Sequence, residues 1–149
     1  MPGPEPRLVD LLTAAQRVLW RELGERLAEE NVGVEQWRVL RALAEAEGMS
    51  MRELAERVQV PAPSLTRLVD SLVDQARVYR RQSVHDGRRI DVHLSATGRE
   101  LLDRLEAIAA AHERQVTASL GRPNGEVTAT VAALARLSPP LLLSAQPDS

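Results

Sequence analysis

The chain has no cysteine, which excludes disulfides, thiolate metal sites and a cysteine redox sensor. Phenylalanine is also absent, with one tyrosine and two tryptophans, so leucine, valine and alanine must fill any core. A core of that kind favours helices, because Leu and Ala rank high among helix formers. Lysine is missing too, and all 19 basic residues are arginine, a bias that GC-rich coding produces without functional cause. No apolar run approaches the ~20 residues that a membrane span requires. Met1 to Pro6 has neither the basic end nor the apolar stretch of a signal peptide. The expectation is a cytoplasmic protein with no membrane partner. His85, His93 and His112 have no His or Cys at ligand spacing, so neither a metal site nor a cofactor is expected. There is no phosphate loop, no nucleophile elbow and no carboxylate pair set apart from arginine, so an active site has no residues to stand on.

What is present is a polarity of charge. The net charge of −2 looks unlike a nucleic-acid binder. Between Ser50 and Leu94, however, eight arginines face six acids, while the remainder carries eleven arginines against fifteen acids. A basic middle between acidic flanks suits a DNA-reading lobe on a helical frame. At 149 residues there is room for one domain, or for a small domain plus helices that find burial only in a dimer.

Apolar residues recur at Leu8, Leu11, Leu12, Ala15, Leu19, Leu23 and Leu27, steps of three and four that predict one long amphipathic helix. The loop Asn31–Glu35 ends it, with Gly33 as the expected breaker, and a second helix reads from Trp37 to Gly48. Ser50-Met51-Arg52-Glu53 is a capping box in front of a two-turn helix that stops before Pro61. The next helix takes Pro63 in its first turn, where the N–H groups have no intrahelical partner. Its inward stripe is Leu65, Leu68, Val69, Leu72 and Val73. The period then changes to two. Val78 to Arg80 and Ile90, Val92 and Leu94 predict a β-hairpin turning at Asp86-Gly87. Ser95 caps a second long helix with a stripe at Leu101, Leu105, Ile108, His112, Val116 and Leu120. A last helix follows the Gly121–Gly125 break and runs until Pro139-Pro140.

This order is a winged helix-turn-helix inside a helical frame, a mainly α fold with a small β-hairpin wing. From about Leu8 to Leu137 the chain resembles the MarR family of transcriptional regulators. The most specific matches are Asp86-Gly87-Arg88-Arg89 in the wing and Leu94-Ser95-Ala96-Thr97-Gly98 opening the helix after it. Leu54-Ala55 and Ser64 to Leu72 match the two helices of the turn motif. One departure is Ala76-Arg77, where the family commonly has Gly then Leu. In a left-handed conformation Ala costs roughly 1–2 kcal/mol.

The resemblance implies a homodimer on a pseudo-palindromic operator, with residues 8–30 and 97–138 as the dimerisation region and 35–95 as the DNA-binding region. Ser50 and Arg52 open the first helix of the motif, whose N–H groups suit a phosphate. Ala62, Pro63, Ser64, Thr66 and Arg67 are expected in the major groove, and Asp86, Arg88 and Arg89 at the wing. The family's small aromatic or phenolic effectors suggest Trp20, Trp37 and His112 as pocket residues, against the plainer reading of core filling. The rival to a repressor released by such an effector is a winged-helix module that binds a ligand or protein but not DNA.

Overall fold

A computed structural model describes residue 1 and residues 3–137, and the expected stop at Pro139-Pro140 lies outside these residues. Contacts divide the chain into two compact units, Met1–Ala109 and a second beginning at Ala110.

In the first unit, α1 spans Leu8–Leu27. Its C-terminal end packs inward, with Leu27 buried and Trp20 and Leu23 partly so. Leu8, Val9, Leu11, Leu12, Val18 and Leu19 stay exposed. The predicted helix is correct, but the residue that breaks it is not Gly33. A short 3₁₀ turn, Ala28–Glu30, leads into Asn31 at φ +55°, a left-handed position that Asn tolerates better than most residues. Gly33 is extended and caps α2, Val34–Ala44, with its N–H donating to the Gln36 side chain at 3.1 Å. The second helix therefore begins three residues before Trp37, because Val34 is already buried in the core.

Three strands follow: β1 (Met49–Ser50), β2 (Val78–Gln82) and β3 (Ile90–Leu94), antiparallel in the order β1-β3-β2. The sequence predicts only the β2–β3 hairpin, since a two-residue strand is too short to show alternation. Between β1 and β2 lie α3, Met51–Val58, and α4, Ala62–Asp74. The expected inward stripe of β3 fails at one end. Ile90 shares a face with Val92 but pairs with Gln82 beyond the edge of the core, and is 51% exposed. Asp91, expected outward, is instead 5% exposed. The core joins Leu40 and Leu43 of α2, Leu54 of α3 and Leu65 and Leu72 of α4. Val92 of β3 and Leu101 and Leu105 of α5, Ala96–Ser119, complete it.

The end of α4 is held by an unusual set of bonds. Arg77 N–H donates to Leu72 C=O and Ala76 N–H to Val73 C=O, both at 2.9 Å. That is a Schellman ending with Ala76 at φ +57°, where glycine is the usual occupant. The Ala76 carbonyl then accepts from Ser95 Oγ at 2.7 Å and Thr97 Oγ1 at 2.8 Å. The Arg77 carbonyl accepts from Ser95 N–H at 3.1 Å. Arg77 Nε is buried with no hydrogen-bond partner, so the charge that replaces an apolar residue here leaves one donor unsatisfied. Ala76→Gly should remove the left-handed strain at a smaller entropic cost, and raise stability by about 1 kcal/mol. Thermal melts of the two proteins at matched concentration check this, and a lower midpoint for the glycine variant would contradict it.

In the second unit, α5 continues to Ser119, Gly121 turns the chain at φ +63°, and α6 runs Asn124–Arg136. Thr128 Oγ1 donates to Glu113 at 3.1 Å, linking the two helices. His112 and Thr117 are buried, and Leu120, Val131 and Leu137 are exposed.

Candidate nucleic-acid interface

Each element of the expected interface is positioned by a local bond. At the start of α3, the Glu53 N–H donates to Ser50 Oγ and the Ser50 N–H to the Glu53 carboxylate, both at 3.2 Å. The capping box is complete. Arg52 is 90% exposed on its side chain, touching only Glu56 at 3.5 Å, a spacing and exposure at which an ion pair holds little. Gln59, left-handed at φ +55°, turns the chain between α3 and α4.

Full burial of Leu65 orients the first turns of α4, so that Ala62, Pro63, Ser64, Thr66 and Arg67 all face solvent. The Thr66 hydroxyl donates back to Ala62 C=O at 3.0 Å, which leaves its methyl group outward. Arg67 has no hydrogen bond or ion pair among the described residues. One turn on, Asp70 is paired with Arg80 of β2, so its charge is partly neutralised and the strand is tied to the helix.

The wing tip closes as the residue pattern predicts. Asp86 Oδ1 accepts from the Arg88 N–H at 3.0 Å, its carbonyl accepts from the Arg89 N–H at 3.0 Å, and Ser83 N–H donates to Arg89 C=O at 2.8 Å. Arg88 itself is exposed, with no side-chain partner among the described residues. Arg89 differs. Its Nε donates to Asp91 at 2.8 Å and its NH1 to Glu53 at 3.1 Å. The hydrogen bond to Asp91 raises the Arg89 pKa further above its usual value, opposed by desolvation. That hydrogen bond holds the Asp91 carboxyl below the ordinary carboxylate range, burial working against it and the Ser83 hydroxyl in its favour.

The sequence reading does not single out Arg81. It is exposed and lies opposite Asp91 across the β2–β3 ladder, without an ion pair among the described residues. Alternation counted from the buried Val78 was the available signal, since it sets Tyr79 and Arg81 on the outer face.

The three residues expected in an effector pocket have separate surroundings. Trp20 lines a shallow cavity of about 290 Å³ with Gln16, Arg17 and Arg21, and Arg38 sits over its ring at 5.7 Å. Trp37 does not line that cavity. Its indole N–H donates to Glu106 at 2.7 Å, and Arg41, bonded to the same carboxylate at 2.9 Å, lies over its ring. His112 is buried in the second unit.

Residues 31–89, from the end of α1 through both motif helices to the wing tip, match the MarR family. The HTH-type transcriptional repressor Rv2887 of Mycobacterium tuberculosis is 32% identical over 113 residues, 76% of this chain and 81% of that protein. This chain belongs to the MarR family. Among solved structures, the MarR-family protein Rv2887 in complex with salicylic acid is 28% identical with a TM-score of 0.71, covering 90% of this chain and 98% of that one. The transcriptional repressor CouR bound to a 23-mer DNA duplex is 25% identical with a TM-score of 0.79, covering 89% and 93%. The MarR-family assignment accounts for the winged helix-turn-helix and for the wing sequence Asp86 to Arg89. No helix among the described residues is long and apolar enough to cross a membrane.

Proposed function

We propose that this MarR-family chain is a cytoplasmic transcriptional repressor, not an enzyme, that binds duplex DNA as a homodimer and is released by a small aromatic or phenolic effector. The carrying observation is that Arg67 on the outward turn of α4 and Arg88 at the wing tip are both exposed and unpartnered among the described residues. An arginine held on a rigid element with no internal partner is available to a base edge or a phosphate. Ser50, Arg52, Ala62, Pro63, Ser64 and Thr66 complete the DNA-facing surface, and Asp86 shapes the tip. The unpartnered leucines of α1 supply the dimer seam in this reading, with residues 8–30 and 97–138 as its frame and 35–95 as the DNA lobe. Two copies then address half-sites about one helical turn apart on a pseudo-palindrome. The Trp20 cavity, flanked by Arg17 and Arg21, offers an aromatic face and cations to a small aromatic acid, as the relative crystallised with salicylic acid suggests.

A DNA complex built on phosphate contacts must weaken as salt rises, with log K falling linearly in log salt concentration. Titration of the dimer against duplex DNA selected from a random pool, at a series of salt concentrations, should give that line. Salicylate added to the same titration should weaken binding and quench tryptophan fluorescence. Tight binding to nothing but a protein or small molecule, with DNA affinity absent at low salt, would favour the DNA-independent module that the net charge of −2 keeps in view.

A further inference from the structure

The adjacent arginines of the wing tip have opposite surroundings, although the sequence presents them as a pair. Arg88 reaches into solvent without a partner, whereas the Arg89 guanidinium spans two carboxylates from different parts of the fold. Asp91 is its neighbour on β3 and is almost fully buried, with 8% of its side chain exposed. Glu53 belongs to the first turn of α3, 36 residues away in the chain. Its other carboxylate oxygen already accepts from the Ser50 N–H, so the cap of α3 and the arm of the wing meet on one side chain. A guanidinium forks to two acceptors in fixed directions, which an ammonium cannot do.

We propose that Arg89 is a positioning residue and not a DNA contact: it braces β3 against α3 and so sets where Arg88 stands. The proposal rests on the DNA-binding reading given above. A phosphate would have to compete with two carboxylates for this guanidinium, one of them buried and left unpaired if the arginine swung away. The next residue carries the same charge with nothing to release.

The salt dependence of DNA affinity separates the two arginines. Removing a phosphate contact lowers the salt slope by about 1 per contact, so Arg88→Ala should lower it by about 2 in a dimer. Arg89→Ala should weaken binding while leaving the slope at the parent value. It should have little further effect when added to Arg88→Ala, because it acts through that side chain. Arg89→Lys keeps the charge but not the fork, and should behave like the alanine variant. Glu53→Gln spares the Arg89–Asp91 pair and serves if Arg89→Ala fails to fold. It should weaken binding in the same way, again without a change of slope. Hydrogen exchange in the free protein supplies a readout that needs no DNA: residues 82–90 should open faster in Glu53→Gln, while the amides of α5 stay protected. A reduced slope in Arg89→Ala, full affinity in Arg89→Lys, or additive losses in the double variant would overturn the proposal. If the parent binds no DNA at any salt, the DNA reading falls by itself, and unchanged exchange in residues 82–90 would then dispose of the brace as well.

Discussion

Gly98→Ala should be the most damaging small substitution in the chain, with a loss of about 3 kcal/mol, at the upper end of what overpacking costs. A Cβ at Gly98 would lie 2.9 Å from the Arg77 carbonyl carbon and closer still to its oxygen, with Leu94 Cδ1 also at 2.9 Å. Neither the oxygen nor the helix can give way cheaply. The Arg77 carbonyl accepts from both the N–H and the hydroxyl of Ser95, and the Gly98 N–H donates to that same hydroxyl at 3.0 Å. Relief of the clash would break the bonds that fasten the end of α4 to the start of α5, so DNA affinity should fall together with stability. For a chain of this size the loss corresponds to a melting midpoint lower by roughly 6–12 °C. Gly125→Ala is the control, since a Cβ there meets nothing within 4 Å and the residue lies within a helix. A Gly98→Ala protein that melts like the parent would show that the close approach relaxes at no cost.

Arg67→Ala should change what the protein prefers more than how tightly it grips. Arg67 stands one turn into α4 beside exposed Ser64, with Asp70 on the next turn. An acid at that distance repels phosphate, which confines close approach to the N-terminal turns, where a side chain meets base edges. A bidentate contact between arginine and guanine discriminates against the wrong base by about 1–3 kcal/mol. Affinities measured across single-base variants of a selected operator should therefore flatten at one position in each half-site, and keep their spread elsewhere. A uniform loss over all sequences would reassign Arg67 to a phosphate, and no loss at all would remove α4 from the interface.

Features whose causes lie within a few residues were legible before any coordinates. The Ser50–Glu53 box, the Asp86 turn and the Ser95 cap each depend on partners no more than three positions apart, and each forms as expected. The cost at Ala76 was legible for the same reason, because a left-handed position follows the last turn of a helix whatever surrounds it. Misreadings arise where the partner is distant. Asn31 and Gly33 both end helices by type, and the burial of Val32 and Val34 decides which of the two takes the positive φ. Arg89 carries the same local motif whether it faces DNA or a carboxylate 36 residues away. Trp37 reads as a pocket aromatic until Glu106, 69 residues on, takes its indole proton in a hydrogen bond.

The short strand β1 has a mechanical consequence. Met49 and Ser50 pair with Val92 and Asp91, and Ser50 is also the cap of α3, so the first motif helix grows directly out of the sheet that carries the wing. Strand β2 is fastened in turn to α4 by the Arg80–Asp70 pair. A wing attached along both edges has no hinge at its root, and its compliance is confined to the tip between Gln82 and Ile90. Adjustment to grooves of different width would then be local bending of that tip, with Arg88 moving by the reach of its own side chain. Larger mismatches in spacing would have to be met by displacing the whole lobe as one body, which makes separation of the two lobes the coarse setting of the dimer and the tip its fine one.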